Sequence, residues 1–141
     1  MMRTALDLFD AGHMHTVEVW DAGDKLAGGI YGYAVGRAFL GESMFDTAAD
    51  NSAIAFIVLA GHLAHWGYTV YDSKRLSDRF HALGCRYIPR RDLCVHLQEP
   101  APKPAGRWRF DPSLDIANWK PAEGAPRLQK TASENITEIV K

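Results

Sequence analysis

The amino-acid sequence predicts an α/β fold in which one central helix covers a mixed, mainly antiparallel sheet. Residues 14–20 alternate in hydrophobicity, and a glycine-rich segment of strand character follows over residues 25–40, as expected for neighbouring antiparallel strands. Residues 52–66 are apolar nearly all round, which is typical of a helix packed across a sheet. Residues 99–141 hold six of the seven prolines and predict an irregular tail.

Length and composition restrict the class of protein. The chain has 141 residues, a net charge of -1 and 47% hydrophobic residues, which describes one ordinary globular domain. We assign residues 1–98 to this domain and residues 99–141 to a Pro-rich extended docking segment. The longest apolar run, residues 53–60, is far below the roughly 20 residues of a membrane-spanning helix, so we expect no membrane span. We recognise no secretion signal and expect a cytoplasmic protein whose two cysteines are buried or idle thiols.

The first half of the chain predicts one short helix and three strands. The helix covers residues 4–9, and Gly12 can end it. The strands cover residues 14–20, 25–34 and 37–40, so that they form a meander. The last two strands make a hairpin that ends in the cluster Glu42-Ser43-Met44-Phe45.

The second half begins with the central helix over residues 52–66, which Asp50 or Asn51 can cap and which Gly67 ends. A short strand follows and delivers Asp72-Ser73-Lys74 at its carboxyl end, where ligands of α/β sheets tend to bind. The expected elements after the helix are a strand over 68–71, a helix over 76–83, a strand over 85–88, a helix over 90–97 and a short helix over 135–140.

The order of these elements resembles the second half of the GNAT acyltransferase fold. Four separated motifs are similar, in the same order, to the C-terminal domain of leucyl/phenylalanyl-tRNA-protein transferases. They are Gly-His-Met-His-Thr-Val-Glu-Val-Trp (12–20), Gly-Gly-Ile-Tyr-Gly (28–32), Phe-Leu-Gly-Glu-Ser-Met-Phe (39–45) and Leu-Gly-Cys-Arg-Tyr-Ile-Pro-Arg (83–90). The resemblance covers residues 12–97 without gaps.

The resemblance implies transfer of leucine or phenylalanine from an aminoacyl-tRNA to the N-terminal amine of a protein that begins with Arg or Lys. It implies Glu42 at the mouth of an aminoacyl pocket and Asp72 in the reaction centre. For the apolar residues of this pocket, plain core packing is the alternative. The implied pocket residues are Ile30, Phe39, Met44, Phe56, Leu59 and Tyr71.

The sequence departs from the family where the chemistry would occur. The family has Asp-Cys-Gln after the strand, whereas this chain has Asp72-Ser73-Lys74. A lysine cannot accept a proton at neutral pH unless burial lowers its pKa by several units. We therefore expect Lys74 to stay charged, as the ion-pair partner of Asp72. The candidate catalytic residues are Asp72 and Glu42, which could act as acid and base, and Lys74 beside them. We also expect this chain to lack the N-terminal domain that, by the resemblance, supplies much of the family's tRNA contact.

A local basic set offers possible contacts to RNA phosphates, although a solvated helix face is an equally good interpretation. Its members are Lys74, Arg75, Arg79, Arg86, Arg90 and Arg91. Residues 47–52 lack the glycine-rich turn that seats acetyl-CoA in typical GNAT enzymes, so we expect no cofactor. The histidines complete no known ligand spacing, so we expect no metal.

Two functions follow from the sequence. The first is an aminoacyltransferase whose partners are an aminoacyl-tRNA and an acceptor protein or peptide. The second is a catalytically inactive family descendant that serves as a subunit of a larger complex. In that case residues 99–141 would dock on the partner, and the isolated aromatics Trp108, Phe110 and Trp119 would be the anchors.

Overall fold

The computed structural model describes residues 2–47, 50–102, 108–118 and 136–140. Trp119, one of the predicted anchors, lies outside these ranges. The elements are α1 (Met2–Asp10), β1 (Met14–Trp20), β2 (Leu26–Val35), β3 (Ala38–Asp46), α2 (Asn51–Trp66), β4 (Val70–Asp72), α3 (Asp78–Ala82), β5 (Arg86–Pro89), α4 (Arg90–Gln98), a 3-10 helix (Ile116–Asn118) and β6 (Ile136–Val140).

The strands form one mixed sheet in the order β1-β2-β3-β4-β6-β5, which confirms the α/β class. β1, β2 and β3 are the predicted antiparallel meander. β4 is parallel to β3, and α2 provides the crossover between them. β6 lies antiparallel between β4 and β5.

Two hydrophobic clusters lie on opposite faces of the sheet, because successive residues of β3 point to opposite sides. Phe39 belongs to the larger cluster, in which α2 packs through Phe56 and Leu59. Ala38 belongs to the smaller cluster, which α4 covers through Leu93. The central helix is therefore buried against the face from which Phe39 projects.

Two expected elements were wrong. The strand predicted over residues 37–40 extends to Asp46, because the following residues continue to pair with β2 as far as Gly28. The helix predicted over residues 135–140 is the strand β6. A five-residue segment with three apolar residues is too short for its period to distinguish a helix from a strand, and pairing with β4 and β5 decides the outcome.

The start of α2 also differs from the prediction. Asp50 adopts a left-handed φ of 65° and its side chain caps no backbone group. Asp46 takes that role: the Ser52 backbone N–H donates to Asp46 Oδ1 over 2.5 Å, and the Ser52 hydroxyl donates to Asp46 Oδ2 over 2.6 Å. These hydrogen bonds, with a smaller contribution from Arg79, lower the pKa of Asp46.

Residues 108–118 return to the body of the protein. The Trp108 ring stacks on His15 with a centroid distance of 3.6 Å, and it lies 5.0 Å from Trp66 and 5.6 Å from Phe39. Trp108 packs against the larger hydrophobic cluster and is half-buried. The residue proposed as a partner anchor is therefore occupied within its own chain.

A buried histidine holds the next turn of this segment. His62 Nδ1 donates to the Val58 carbonyl over 2.7 Å, which leaves Nε2 to accept the Asp111 backbone N–H over 2.9 Å. Phe110 lies 5.4 Å from the His62 ring but remains 65% exposed. Of the two described aromatics in the tail, only Phe110 presents a free face.

Two further sequence predictions concern a membrane span and the two cysteines. Within the described ranges, no helix combines the length and the apolar character that crossing a bilayer requires. Cys85 and Cys94 are not joined by a disulfide; the first is buried and the second is half-buried.

Candidate functional site

An open pocket of about 540 Å³ lies beyond the carboxyl end of β4. β4 stops at Asp72, which is level with Leu40, whereas β3 continues for six residues, the first four of which line the pocket. The polar lining consists of Glu42, Ser43, Ser73, Arg75 and Ser77. The apolar lining consists of Met44, Tyr71, Leu76 and Phe80. The pocket therefore pairs an apolar wall with a charged and hydroxyl-rich one.

A β-bulge in β3 places Glu42 in this pocket. Tyr31 pairs with Ser43 and Gly32 pairs with Gly41, so Glu42 is an extra residue with no partner in the β2 ladder. Such bulges interrupt the alternation of side chains and redirect them, often next to functional sites. Here the two consecutive residues Glu42 and Ser43 both reach the pocket.

Tyr71 forms the inner wall. Its ring crosses Gly41 so closely that a Cβ at that position would overlap the tyrosine hydroxyl. The ring stacks beside Phe39 with a centroid distance of 5.7 Å and meets Phe56 edge-on at 5.1 Å. Burial raises the pKa of Tyr71, so its hydroxyl stays protonated and can donate a hydrogen bond.

The three predicted catalytic residues are linked to one another. The Lys74 backbone N–H donates to Asp72 Oδ1 over 2.7 Å, while the Lys74 ammonium forms an ion pair with Glu42. The expected pairing of Lys74 with the Asp72 carboxylate is wrong, because that carboxylate holds the lysine backbone instead. Burial raises the pKa of Asp72, and this effect exceeds the opposing ones of the backbone hydrogen bond and the Lys74 charge.

The six residues assigned to an apolar pocket separate into two groups. Met44 and Tyr71 line the pocket. Ile30, Phe39, Phe56 and Leu59 are almost completely buried in the larger hydrophobic cluster. These four residues form the layer behind the pocket wall, as the core-packing alternative expects.

The basic set does not gather at one surface. Arg75 lines the pocket, whereas Arg79 forms ion pairs with carboxylates at the start of α2. Arg86 lies on β5 and donates to a backbone carbonyl, and Arg91 pairs with its neighbour in the sequence. Arg90 is the exposed first residue of α4. Arg75 is the arginine of this set that is placed to meet a ligand in the pocket.

Reasoning from the sequence placed Ser73 at this strand end but missed Leu76, Ser77 and Phe80 of the lining. These three residues follow Ser73 in the sequence, and their position after the carboxyl end of β4 was the available signal. Ser77 caps α3 by accepting the Phe80 N–H over 3.2 Å. Phe80 then meets Phe56 at a centroid distance of 5.7 Å, which joins the pocket to the core.

The histidine, cysteine and carboxylate side chains of the described ranges do not converge as metal ligands would. In the part of the chain that the structure describes, no three of them form such a group. His62 uses both ring nitrogens in hydrogen bonds to Val58 and Asp111. Its role in the structure is to hold residues 108–118, which we call the returning segment.

Comparison with protein families finds one family model that matches residues 1–98. The family model that matches is described as Leucyl/phenylalanyl-tRNA protein transferase. The chain belongs to this family.

Curated relatives agree with this assignment. A leucyl/phenylalanyl-tRNA–protein transferase of Thiobacillus denitrificans is 42% identical over 106 residues, which cover 74% of this chain and 46% of the relative. One from Rhodopseudomonas palustris is 47% identical over 85 residues, covering 60% of this chain and 37% of the relative. The chain spans less than half the length of these curated relatives.

A third relative bears on the returning segment. The leucyl/phenylalanyl-tRNA–protein transferase of Cupriavidus taiwanensis is 39% identical over 116 residues, or 82% of this chain and 46% of the relative. In a chain of 141 residues, a match of that length includes Trp108 wherever it begins. Similarity to the family therefore extends past residue 98, into the segment that packs on His15 and Trp66.

Proposed function

We propose that the pocket is an aminoacyl-transfer site, which moves an apolar aminoacyl group from an aminoacyl-tRNA to an amine such as a protein N-terminus. The arrangement of Glu42, Tyr71 and Asp72 around the end of β4 carries this proposal. Family membership supports it, since the names of the relatives specify both tRNA and protein. We also propose that the α/β fold is of the GNAT type and that the protein acts in the cytoplasm.

The lining assigns a role to each wall. Met44, Leu76 and Phe80 would receive the apolar aminoacyl side chain, because a flexible methionine between larger groups adapts to several shapes. Arg75 would meet a phosphate near the 3′ end of the tRNA. The Tyr71 hydroxyl would donate to the oxygen on which negative charge develops during transfer.

The chemistry is an exchange of an ester for an amide. The amine nitrogen attacks the ester carbonyl carbon, the C–N bond forms, and the C–O bond to the ribose oxygen breaks. Asp72 would take the proton that the amine loses, and the released ribose oxygen gains one. A carboxylate with a raised pKa is better suited to this task, because that pKa lies closer to the pH at which the reaction runs.

The proposal is tested with the 141-residue chain, phenylalanyl- or leucyl-tRNA and a peptide with an N-terminal arginine. We expect mass spectrometry to detect peptide extended by one residue, and Asp72→Asn to slow transfer by about 100-fold or more. Asp92→Asn is the matched control, because this exposed carboxylate of α4 lies outside the pocket and should leave the rate unchanged. Absence of transfer above background by the unmodified chain would refute the proposal.

The second candidate is a non-catalytic subunit of a larger complex. Both carboxylates near the pocket are engaged, Glu42 by the Lys74 ammonium and Asp72 by the Lys74 N–H, and this favours the idea. The exposed Phe110 would be the anchor, since Trp108 is occupied within the chain.

A point variant tests this candidate better than truncation, because deletion of residues 99–141 would also remove β6 from the sheet. Phe110→Ser should abolish co-purification with a defined partner complex. Val95→Ser, at another exposed apolar residue, should retain it. If Phe110→Ser stays in the complex, docking through this residue is excluded.

A further inference from the structure

Lys74 is held in an unusual position that the proposed transfer chemistry does not use. Its φ is 62°, in the left-handed region that residues other than glycine seldom adopt. Such conformations cost free energy and persist where the surroundings hold them in place. The hydrogen bond from the Lys74 N–H to Asp72 Oδ1, at 2.7 Å, holds this one.

The lysine side chain reaches a carboxylate that is distant in the sequence. Its ammonium pairs with Glu42, which the bulge in β3 places in the pocket lining. Among the described lining residues, Glu42 is the acidic one and Arg75 is the basic one. While Lys74 neutralises Glu42, the pocket lining presents Arg75 without a counterbalancing free carboxylate.

We propose that Lys74 is an internal cation that occupies Glu42 and excludes a ligand's ammonium or guanidinium group from it. Lys74 would thus be a specificity-determining residue, which disfavours acceptors that carry a cationic side chain. The inference rests on the proposed function in one respect, namely that the ligand beside Glu42 is the acceptor amine.

The size of the effect follows from the exposure of the ion pair. The Lys74 and Glu42 side chains are 49% and 31% exposed, and ion pairs of this kind are weak. A guanidinium can hold a carboxylate through two parallel hydrogen bonds, so it should compete for Glu42 once the lysine charge is gone. We therefore expect a change in affinity of about fivefold.

The experiment measures binding and needs no turnover. Two probes, arginyl-alanine amide and norleucyl-alanine amide, share the α-amine and differ in side-chain charge. Titration calorimetry compares the unmodified chain with Lys74→Met, which keeps most of the aliphatic stem and removes the charge. The unmodified chain should bind the two probes within about twofold of each other, and Lys74→Met should bind the arginyl probe about fivefold more tightly.

Two control variants restrict the interpretation. Lys25→Met makes the same change in the exposed segment before β2 and should leave both affinities unchanged. The double variant Lys74→Met/Glu42→Gln should lose the gain, because the carboxylate has gone. The inference is overturned if Lys74→Met gains no affinity for the arginyl probe, if the norleucyl probe gains equally, or if the gain survives in the double variant.

Transfer assays separate this inference from the proposed function. If Lys74→Met binds the arginyl probe more tightly but no variant transfers an aminoacyl group, the internal-cation role stands and the transferase proposal fails. If the unmodified chain transfers to the arginyl peptide while Lys74→Met leaves affinity unchanged, the transferase proposal stands and the internal-cation role fails.

Discussion

The pocket and the returning segment lie on two sides of Phe39, and different interactions hold them together. The Phe39 ring lies 5.7 Å from Tyr71 in the pocket wall and 5.6 Å from Trp108 in the returning segment. The pocket side is open and is held by a partly exposed ion pair, whereas the Trp108 side is closed by packed aromatic rings. Aromatic burial contributes far more free energy than exposed ion pairs do. Stability should therefore depend on the Trp108 side and ligand binding on the pocket side.

The largest effect is expected for Trp108→Ala. Removing a ring that contacts His15, Trp66 and Phe39 should lower the free energy of unfolding by about 3 kcal/mol, measured by urea denaturation. Phe110→Ala is the matched control: its ring is 65% exposed, and its removal should cost less than about 1 kcal/mol. Equal losses in the two variants would contradict the closed character of the Trp108 side.

A smaller effect is expected at the start of α2, close to the pocket. Asp46→Ala removes the acceptor of both Ser52 hydrogen bonds and should cost about 1–2 kcal/mol of unfolding free energy. Asp50→Asn changes a side chain that is 87% exposed and caps nothing, so its thermal unfolding should match that of the unmodified chain. If Asp50→Asn is the more destabilised variant, Asp46 is not the cap.

The pH dependence of stability probes the stack of Trp108 on His15. Burial, aided by the charge of His13, lowers the pKa of His15 from 6.5 to about 4. Between these values the unfolded chain binds the proton first, so stability falls as the pH drops from 6.5 towards 4. Once the partial exposure of the ring is discounted, the loss should be about 1–2 kcal/mol.

The variant His15→Phe checks this assignment, because it keeps a ring under Trp108 and removes the titrating group. Its unfolding free energy should vary less than that of the unmodified chain between pH 6.5 and pH 4. An unchanged pH dependence in this variant would assign the loss of stability to other groups.

The smallest effect on stability is expected for Lys74→Met in the pocket. The pair with Glu42 is partly exposed, so its loss should change the free energy of unfolding by less than about 1 kcal/mol. Thermal unfolding at low and at moderate salt provides the measurement. A loss as large as that of Trp108→Ala would remove the contrast between the two sides.

Local patterns predicted most of the fold. The alternation over Met14–Trp20 gave that strand with its exact bounds, and the run of apolar residues gave α2 to within one residue. The extension of β3 to Asp46 and the strand Ile136–Val140 were missed. Both depend on partner strands that are distant in the sequence, and local periodicity carries no information about them.

The site was less predictable than the fold. Glu42, Tyr71 and Asp72 were identified through the family resemblance, but the ion pair between Glu42 and Lys74 joins positions 32 residues apart. The return of Trp108 to the core was hidden by the proline-rich composition around it, which is typical of extended segments. Composition describes average behaviour, whereas the contact of Trp108 with His15 is a single tertiary interaction.

The bulge at Glu42 also determines which face of the sheet the later side chains of β3 occupy. With the extra residue in place, Met44 lies opposite Ile30 and Asp46 reaches Ser52 at the start of α2. If the ladder were regular with Glu42 still in the chain, Glu42 would pair with Tyr31 and each later side chain would change to the other face of the sheet. Loss of the bulge would thus turn Met44 away from the pocket and separate Asp46 from the helix it caps. One inserted residue couples the pocket lining to the start of the central helix.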